Sequence, residues 1–287
     1  VGVVDSGSAN VTQSLEFNLA ATMLRGCFLT LGLLLALWIA CFLVSRSKGN
    51  RLDLIALVAM AWRHFLLSFA KNPIILSLTL VLMISVSLIP TLSGASPQAS
   101  HQTQNIVMFL KLLLYLPVSV CQFVAFQTIG ANLYAGDLET HAQNKIKLYL
   151  KFIVVQTITS CLSALGFLFF FVPGVICQSL TFVAAPASIY TNSKPSPINR
   201  SFRLCRPDFW NICTVTIPIT ALVVLPSLTS VALQMAYHNS FASAAMSTVL
   251  EITDFILTIM TCSLQSQIYL ILTSYHAEAG EQEVESL

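Results

Sequence analysis

Three ionisable side chains interrupt long apolar runs: Lys111, Asp254 and Glu251. Such groups are costly in hydrocarbon and concentrate at ion paths, proton relays and paired sites. Lys111 and Asp254 each fall about six residues into an apolar run, roughly 8–9 Å at 1.5 Å per residue. Glu251 lies one turn ahead of Asp254. The matched depth permits an intramembrane ion pair. It equally permits Lys111 to reach the boundary on its long stem, with both acids at headgroup level beside His238. Both readings stand on the sequence alone.

A second set is neutral: Gln122, Gln127, Gln156, Thr157, Gln178, Gln234, Gln265 and Gln267 all lie in apolar runs. Hydrogen bonding between helices is the usual use of such groups, about 0.6 kcal/mol per contact on average. The set exceeds what a plain bundle needs, which keeps a polar cavity at mid-membrane in view. Candidate helix breaks are Pro117, the pair Pro173 and Gly174, Pro186, Pro218 and Pro226. Proline lacks the N–H that the residue four earlier would bond, and broken helices line substrate sites in transporters. Membrane helices also tolerate proline without such a role. No glycine-rich pair stands at matching positions, so tolerance is the preferred reading.

Metal and covalent chemistry find little support. The eight cysteines form no CxxC pair, and seven of them lie in apolar runs as small hydrophobic residues. Cys205 alone lies in a basic loop, where it is expected to be within reach of water. Zinc spacings, phosphate-binding loops, Ser/His and HExxH constellations and paired catalytic aspartates are all missing. The chain is therefore read as non-enzymatic, with no cofactor and no metal.

These residues need elements to position them, and composition names the class. Apolar residues make up 56% of the chain and charged residues 9%, against roughly 25% charged in soluble domains. A surface in water cannot be covered with so few charges. Runs of about 20 apolar residues cross the ~30 Å hydrocarbon core as helices. Seven are expected: 24–44, 73–92, 106–130, two from 152–190 divided at Pro173 and Gly174, 211–235 and 249–272.

Two further segments are expected to lie as amphipathic helices in the cytoplasmic interface. The first, near 52–71, carries Arg63 and His64 inside an apolar run, where a central Arg costs about 2.5–3.5 kcal/mol. Its helical wheel sets Asp53, Arg63, His64, Ser68 and Lys71 against Leu54, Ile55, Trp62, Phe65 and Phe69. The second, near 197–209, starts with Ser196 as cap and Pro197 in the first turn. Its expected apolar stripe is Ile198, Phe202, Cys205 and Phe209, with Arg200, Arg203 and Arg206 on another face. Arg63, Lys71, Arg200, Arg203 and Arg206 are candidate contacts for anionic lipid, at about 1 kcal/mol per charge near the surface.

Charge orients the seven spans. Arg46, Lys48, Arg51, Arg63, Lys71, Lys145, Lys147, Lys151, Lys194, Arg200, Arg203 and Arg206 all fall on one side, twelve of the 14 Lys and Arg. Positive residues stay inside, so the N-terminus is expected outside and the C-terminus in the cytoplasm. The chain then divides into an external tail (1–23), an additional first span (24–45), a six-span core with its interfacial helices (46–272) and an acidic cytoplasmic tail (273–287). The net charge of +2 is too small to argue for nucleic acid.

Within the core, 53–130 and 198–272 share one plan of basic helix, outward span, uncharged gap and returning span. Short motifs accompany it: Phe171-Val-Pro-Gly-Val-Ile176, Ala184-Ala-Pro186, Asn199-Arg-Ser-Phe-Arg-Leu204 with Trp210, and Ile129-Gly-Ala-Asn-Leu-Tyr-Ala-Gly136. They resemble a signature of uncharacterised bacterial six-span membrane proteins, related to the membrane domain beside some glycerophosphoryl diester phosphodiesterases. The resemblance covers about 52–272; the first span and the acidic tail depart from it. It implies residence in the bacterial inner membrane and no enzymatic activity. The sequence thus leads to a protein that organises lipids or partner membrane proteins. The competing expectation is a small-solute or lipid transporter with a polar mid-membrane cavity.

Overall fold

The computed structural model describes residues 22, 25, 32–47, 52–92, 97–133, 145–169, 171–190, 196–236 and 241–285. Within them all regular structure is helical. In chain order the helices are α1 (Gly32–Ser47), α2 (Leu54–Lys71), α3 (Pro73–Leu92), α4 (Pro97–Leu133) and α5 (Lys145–Phe169). They continue with α6 (Phe171–Thr181), α7 (Ala184–Tyr190), α8 (Pro197–Cys205), α9 (Phe209–Ala236) and α10 (Phe241–Glu285). Five segments are long and apolar enough to cross a membrane: Leu54–Lys71, Leu112–Leu133, Lys145–Phe169, Val172–Tyr190 and Thr248–Tyr275. Three shorter apolar helices, Gly32–Ser47, Pro73–Val86 and Phe209–Leu222, occupy the places of the other expected spans. The segment Leu54–Lys71 is the one such helix that the charge pattern had assigned to the interface.

α10 is the axis of the bundle, packing against α2, α3, α4 and α9. Its buried residues Phe255, Ile259 and Cys262 join one apolar cluster with Phe126, Ile129 and Phe152. Further along, Leu264, Ile268, Tyr269 and Leu272 join a second with Leu57, Ala61, Leu204 and Ile212. The 152–190 stretch folds back between α5 and α6, and these two helices make the closest antiparallel pair. Glycine permits that approach: a Cβ on Gly166 would lie 2.8 Å from the Gly174 Cα, and one on Gly174 would strike the Phe167 ring.

α1 docks on α9 through a defect in the α9 ladder. Pro218 has no N–H for the Thr214 carbonyl four residues earlier. The Trp38 indole N–H takes that acceptor at 2.9 Å. α9 itself runs on through Pro218 and Pro226, as α4 runs through Pro117.

The faces of the two basic helices differ from the sequence expectation. In α2 the buried residues are Leu57, Ala61, Phe65 and Ser68, while Ile55 and Trp62 are exposed. His64 turns inward, its Nδ1 2.8 Å from the Ser263 Oγ. The Ser263 hydroxyl offers that imidazole a partner, while Arg63 and Lys71 on the same polar side stay exposed. Asp53 caps α2, its Oδ1 accepting from the backbone N–H of Ile55 and Ala56. In α8 the inward residues are Ser201, Leu204 and Cys205, and Phe202 is exposed. The Ser201 hydroxyl donates to the Leu180 carbonyl at 2.8 Å and anchors that face. Cys205, expected within reach of water, is fully buried.

Candidate functional site

Between α4, α5, the α6–α7 segment, α9 and α10 lies a cavity of about 430 Å³. Two helices line it with polar stripes at helical spacing. α5 contributes Gln156, Thr159, Ser160 and Ser163, and α10 contributes Thr258, Thr261, Cys262 and Gln265. In each stripe the first and last residues are seven apart, so all four share one face. α4 adds Gln122 and Phe126, α9 adds Thr220, and the α6–α7 segment adds Gln178, Thr181, Phe182 and Ala185. The lining residues sit midway along α5 and midway along the apolar stretch Thr248–Tyr275 of α10.

The wall contains a broken helix. α6 ends at Thr181, Phe182 and Val183 form a turn, and α7 begins at Ala184. Pro186 is the cause: it offers no N–H to the Phe182 carbonyl and its ring crowds that group. The break falls at the cavity, since Thr181, Phe182 and Ala185 all line it. Pro173, by contrast, sits in the first turn of α6, where a missing N–H costs little.

Hydrogen bonds set what the lining presents. The Thr181 and Thr261 hydroxyls donate to the carbonyls of Cys177 and Leu257 at 2.8 and 2.7 Å. Their protons are turned to their own helices, leaving oxygen lone pairs. The Thr220 hydroxyl faces two acceptors, the Thr216 carbonyl at 2.7 Å and the Gln178 Oε1 at 2.9 Å, and its single proton is shared between them. Among the described residues, the amides of Gln122, Gln156 and Gln265 make no hydrogen bond within the protein. Among the described residues the lining carries no formal charge. A second cavity of about 270 Å³, between α1 and α9, is lined by Leu34, Leu35, Trp38, Leu54, Ile217, Pro218 and Ala221. It offers nothing to orient a polar molecule.

One end of the polar cavity is closed by α7, whose residues from Ala184 to Ile189 are all buried. Tyr190 fastens this short helix to its neighbours: its hydroxyl donates to the Phe126 carbonyl at 2.8 Å and meets the Ser266 Oγ at 2.9 Å. Gly130 makes room for the ring, because a Cβ there would lie 2.5 Å from the Tyr190 Cε1. The Tyr190 ring also leans on Tyr269, over which the Arg200 guanidinium sits at 5.8 Å.

The sequence candidates distribute as follows. Gln122, Gln156, Gln178 and Gln265 meet at the cavity. Gln267 belongs elsewhere, its Nε2 donating to the Ser263 Oγ beside His64. Within the described residues its Oε1 and the Ser68 Oγ are buried without a hydrogen-bond partner. Thr157 faces outward near Tyr115. Glu251 and Asp254 are half-buried on α10, and α4, which carries Lys111, packs beside that helix. The side chains of Lys111, Gln234 and Pro226 lie outside the described residues. Arg63, Lys71, Arg203 and Arg206 are exposed, and Arg200 is half-buried against Tyr269.

Sequence reasoning missed the hydroxyls that complete the cavity, and it missed the break beside Pro186. The signal was present as the i, i+3, i+7 spacing of small polar residues in α5 and again in α10. The quoted motifs open α6 and α7, form most of α8, and place Trp210 at the start of α9. No family model matches the chain, and neither a curated protein nor a solved structure matches it.

Proposed function

We propose that the chain is a multi-pass protein of the bacterial inner membrane that admits an uncharged polar substrate to a cavity at mid-depth, as a transporter does, without covalent chemistry. The polar cavity carries this reading. The half-buried carboxamides of Gln122, Gln156 and Gln265 need water or a ligand as partner, since leaving such a group unmet costs about 1–3 kcal/mol, and an organising bundle packed solid has no need of them. Substrate sites in transporters are commonly built at mid-membrane from discontinuous helices, and the α6–α7 break supplies one here.

Seven spans are proposed, with α2 and α8 at the cytoplasmic surface. The cation-bearing ends support that orientation. Arg46 follows Ser45, which bonds Asn211 at the start of α9. Lys71 precedes Asn72, which bonds Thr128 near the end of α4. Lys145 and Lys147 precede Tyr149, whose ring packs on Phe123. These ends and α8 gather at one end of the bundle, the end expected to stay inside. Exposed Arg203 and Arg206 beside Phe202 and Trp210 supply the charges and apolar anchors for anionic lipid. Membership of the six-span family remains part of the proposal, and the cavity argument does not depend on it.

The experiment is accessibility at Ser163→Cys, probed with a membrane-impermeant thiosulfonate on intact and permeabilised membranes and mapped by mass spectrometry. Modification of residue 163 from either side is expected. A thiol that stays unmodified from both sides, while an external control reacts, would leave a solid bundle and overturn the proposal.

A further inference from the structure

We propose that the ligand of the mid-membrane cavity is a neutral polyhydroxyl ring compound, either a free sugar or cyclitol or the headgroup of an uncharged glycolipid. This rests on the reading of the cavity as a substrate site. Charge is decided first. Among the described residues the lining is made of amides, hydroxyls, one thiol and apolar groups. An ion entering it would lose its hydration and meet no counter-charge, a penalty of several kcal/mol even after relaxation. An apolar ligand fares little better, because it would leave the amides of Gln122, Gln156 and Gln265 desolvated and unanswered.

The hydrogen-bonding pattern narrows the class further. The Thr181 and Thr261 oxygens offer lone pairs, since their protons are turned to backbone carbonyls. The Gln178 carbonyl is engaged by Thr220, which leaves its NH2 as a donor toward the cavity. A matching ligand must donate at some positions and accept at others without carrying charge. The hydroxyl group does both with one atom pair, and a ring of hydroxyls does so in several directions. The remaining wall is apolar, with the rings of Phe126, Phe167 and Phe182. Aromatic faces suit the C–H face of a pyranose or cyclitol ring. The volume of about 430 Å³ lies within the range of small-molecule sites and exceeds what one such ring fills.

The test is equilibrium binding to purified protein in lipid nanodiscs, with tritiated glucose, galactose and inositol as free ligands. Monoglucosyl diacylglycerol, built into the disc, is the lipid-borne ligand. Saturable binding of one free compound, or its glycolipid equivalent, is expected, with glucuronate and glucosamine at least tenfold weaker. Gln156→Leu should weaken binding at least tenfold, and Gln156→Asn, which keeps the amide but withdraws it, by less. Binding of free compounds assigns the site to a soluble solute, and binding of the glycolipid alone assigns it to a headgroup. If none binds, or if glucuronate or glucosamine binds as well as glucose, the substrate class is wrong. Modification at Ser163→Cys separates the two levels. A reactive thiol with no polyol binding overturns only the class, and an unreactive one overturns the site itself.

Discussion

Cys205 shows how one residue's position reverses what its neighbourhood implies. Basic residues surround it in sequence, a setting that commonly makes a thiol reactive. In the fold it lies beneath α8, fully buried. Burial pushes the thiol up to about 12, against the weaker opposing pull of the Ser201 hydroxyl. The raised value favours the protonated, unreactive form through the neutral and mildly alkaline range. Maleimide should leave Cys205 unmodified from pH 7 to pH 9 in native membranes and modify it promptly in denaturing detergent. Native labelling of Cys205 at the rate seen in denaturing detergent would contradict this burial. The residue types of the cavity were legible in the same partial way. Gln122, Gln156, Gln178 and Gln265 stand out in apolar runs, but nothing in their own helices says that they converge while Gln267 pairs with Ser263. Convergence is a property of helix packing, and single runs do not encode it.

Elements are governed here by what each proline does to one carbonyl. Six candidate breaks were legible as residue types, yet they have different outcomes. Pro186 leaves a turn in the cavity wall, while α9 runs through Pro218. Local pattern cannot separate these cases, because the difference lies in which distant group answers the freed acceptor. At Thr214 the answer is the Trp38 indole, 176 residues away in sequence. Pro218→Ala would return an N–H to that carbonyl within α9. Trp38→Phe should therefore cost less in the Pro218→Ala background than in the natural sequence, by about 0.5–1.5 kcal/mol. Reversible unfolding in mixed detergent, run as a double-mutant cycle, measures the difference. Strictly additive costs would mean that the indole contributes packing alone. The face of α2 carries a related lesson. Its polar and apolar residues were legible, but the face it buries mixes Leu57, Ala61 and Phe65 with Ser68, and His64 turns inward because Ser263 on α10 offers it a partner.

At the scale of the whole molecule, charge and packing act on different coordinates. Packing assembles the helices around α10 and says nothing about which end faces the cytoplasm. The cations carry that information, since each Lys or Arg placed on the far side would have to cross during insertion. The helical class and the long apolar helices were legible because hydropathy and length are one-dimensional properties of the chain. The cavity was not, since it arises where five separate segments meet. Orientation can be read from two exposed positions at opposite ends of the bundle. Met246 lies near the start of α10, ahead of its apolar stretch, and Arg203 lies on α8. Met246→Cys should react with an impermeant maleimide in intact cells, and Arg203→Cys only after permeabilisation. The reverse pattern would turn the bundle over, placing Arg46, Lys71, Lys147 and Arg206 outside against the charge rule. Reaction of both from one side would change the parity of the spans between them. In that case α9, the one helix between the two positions, whose apolar segment Phe209–Leu222 is shorter than a full span, would be the element to reassign.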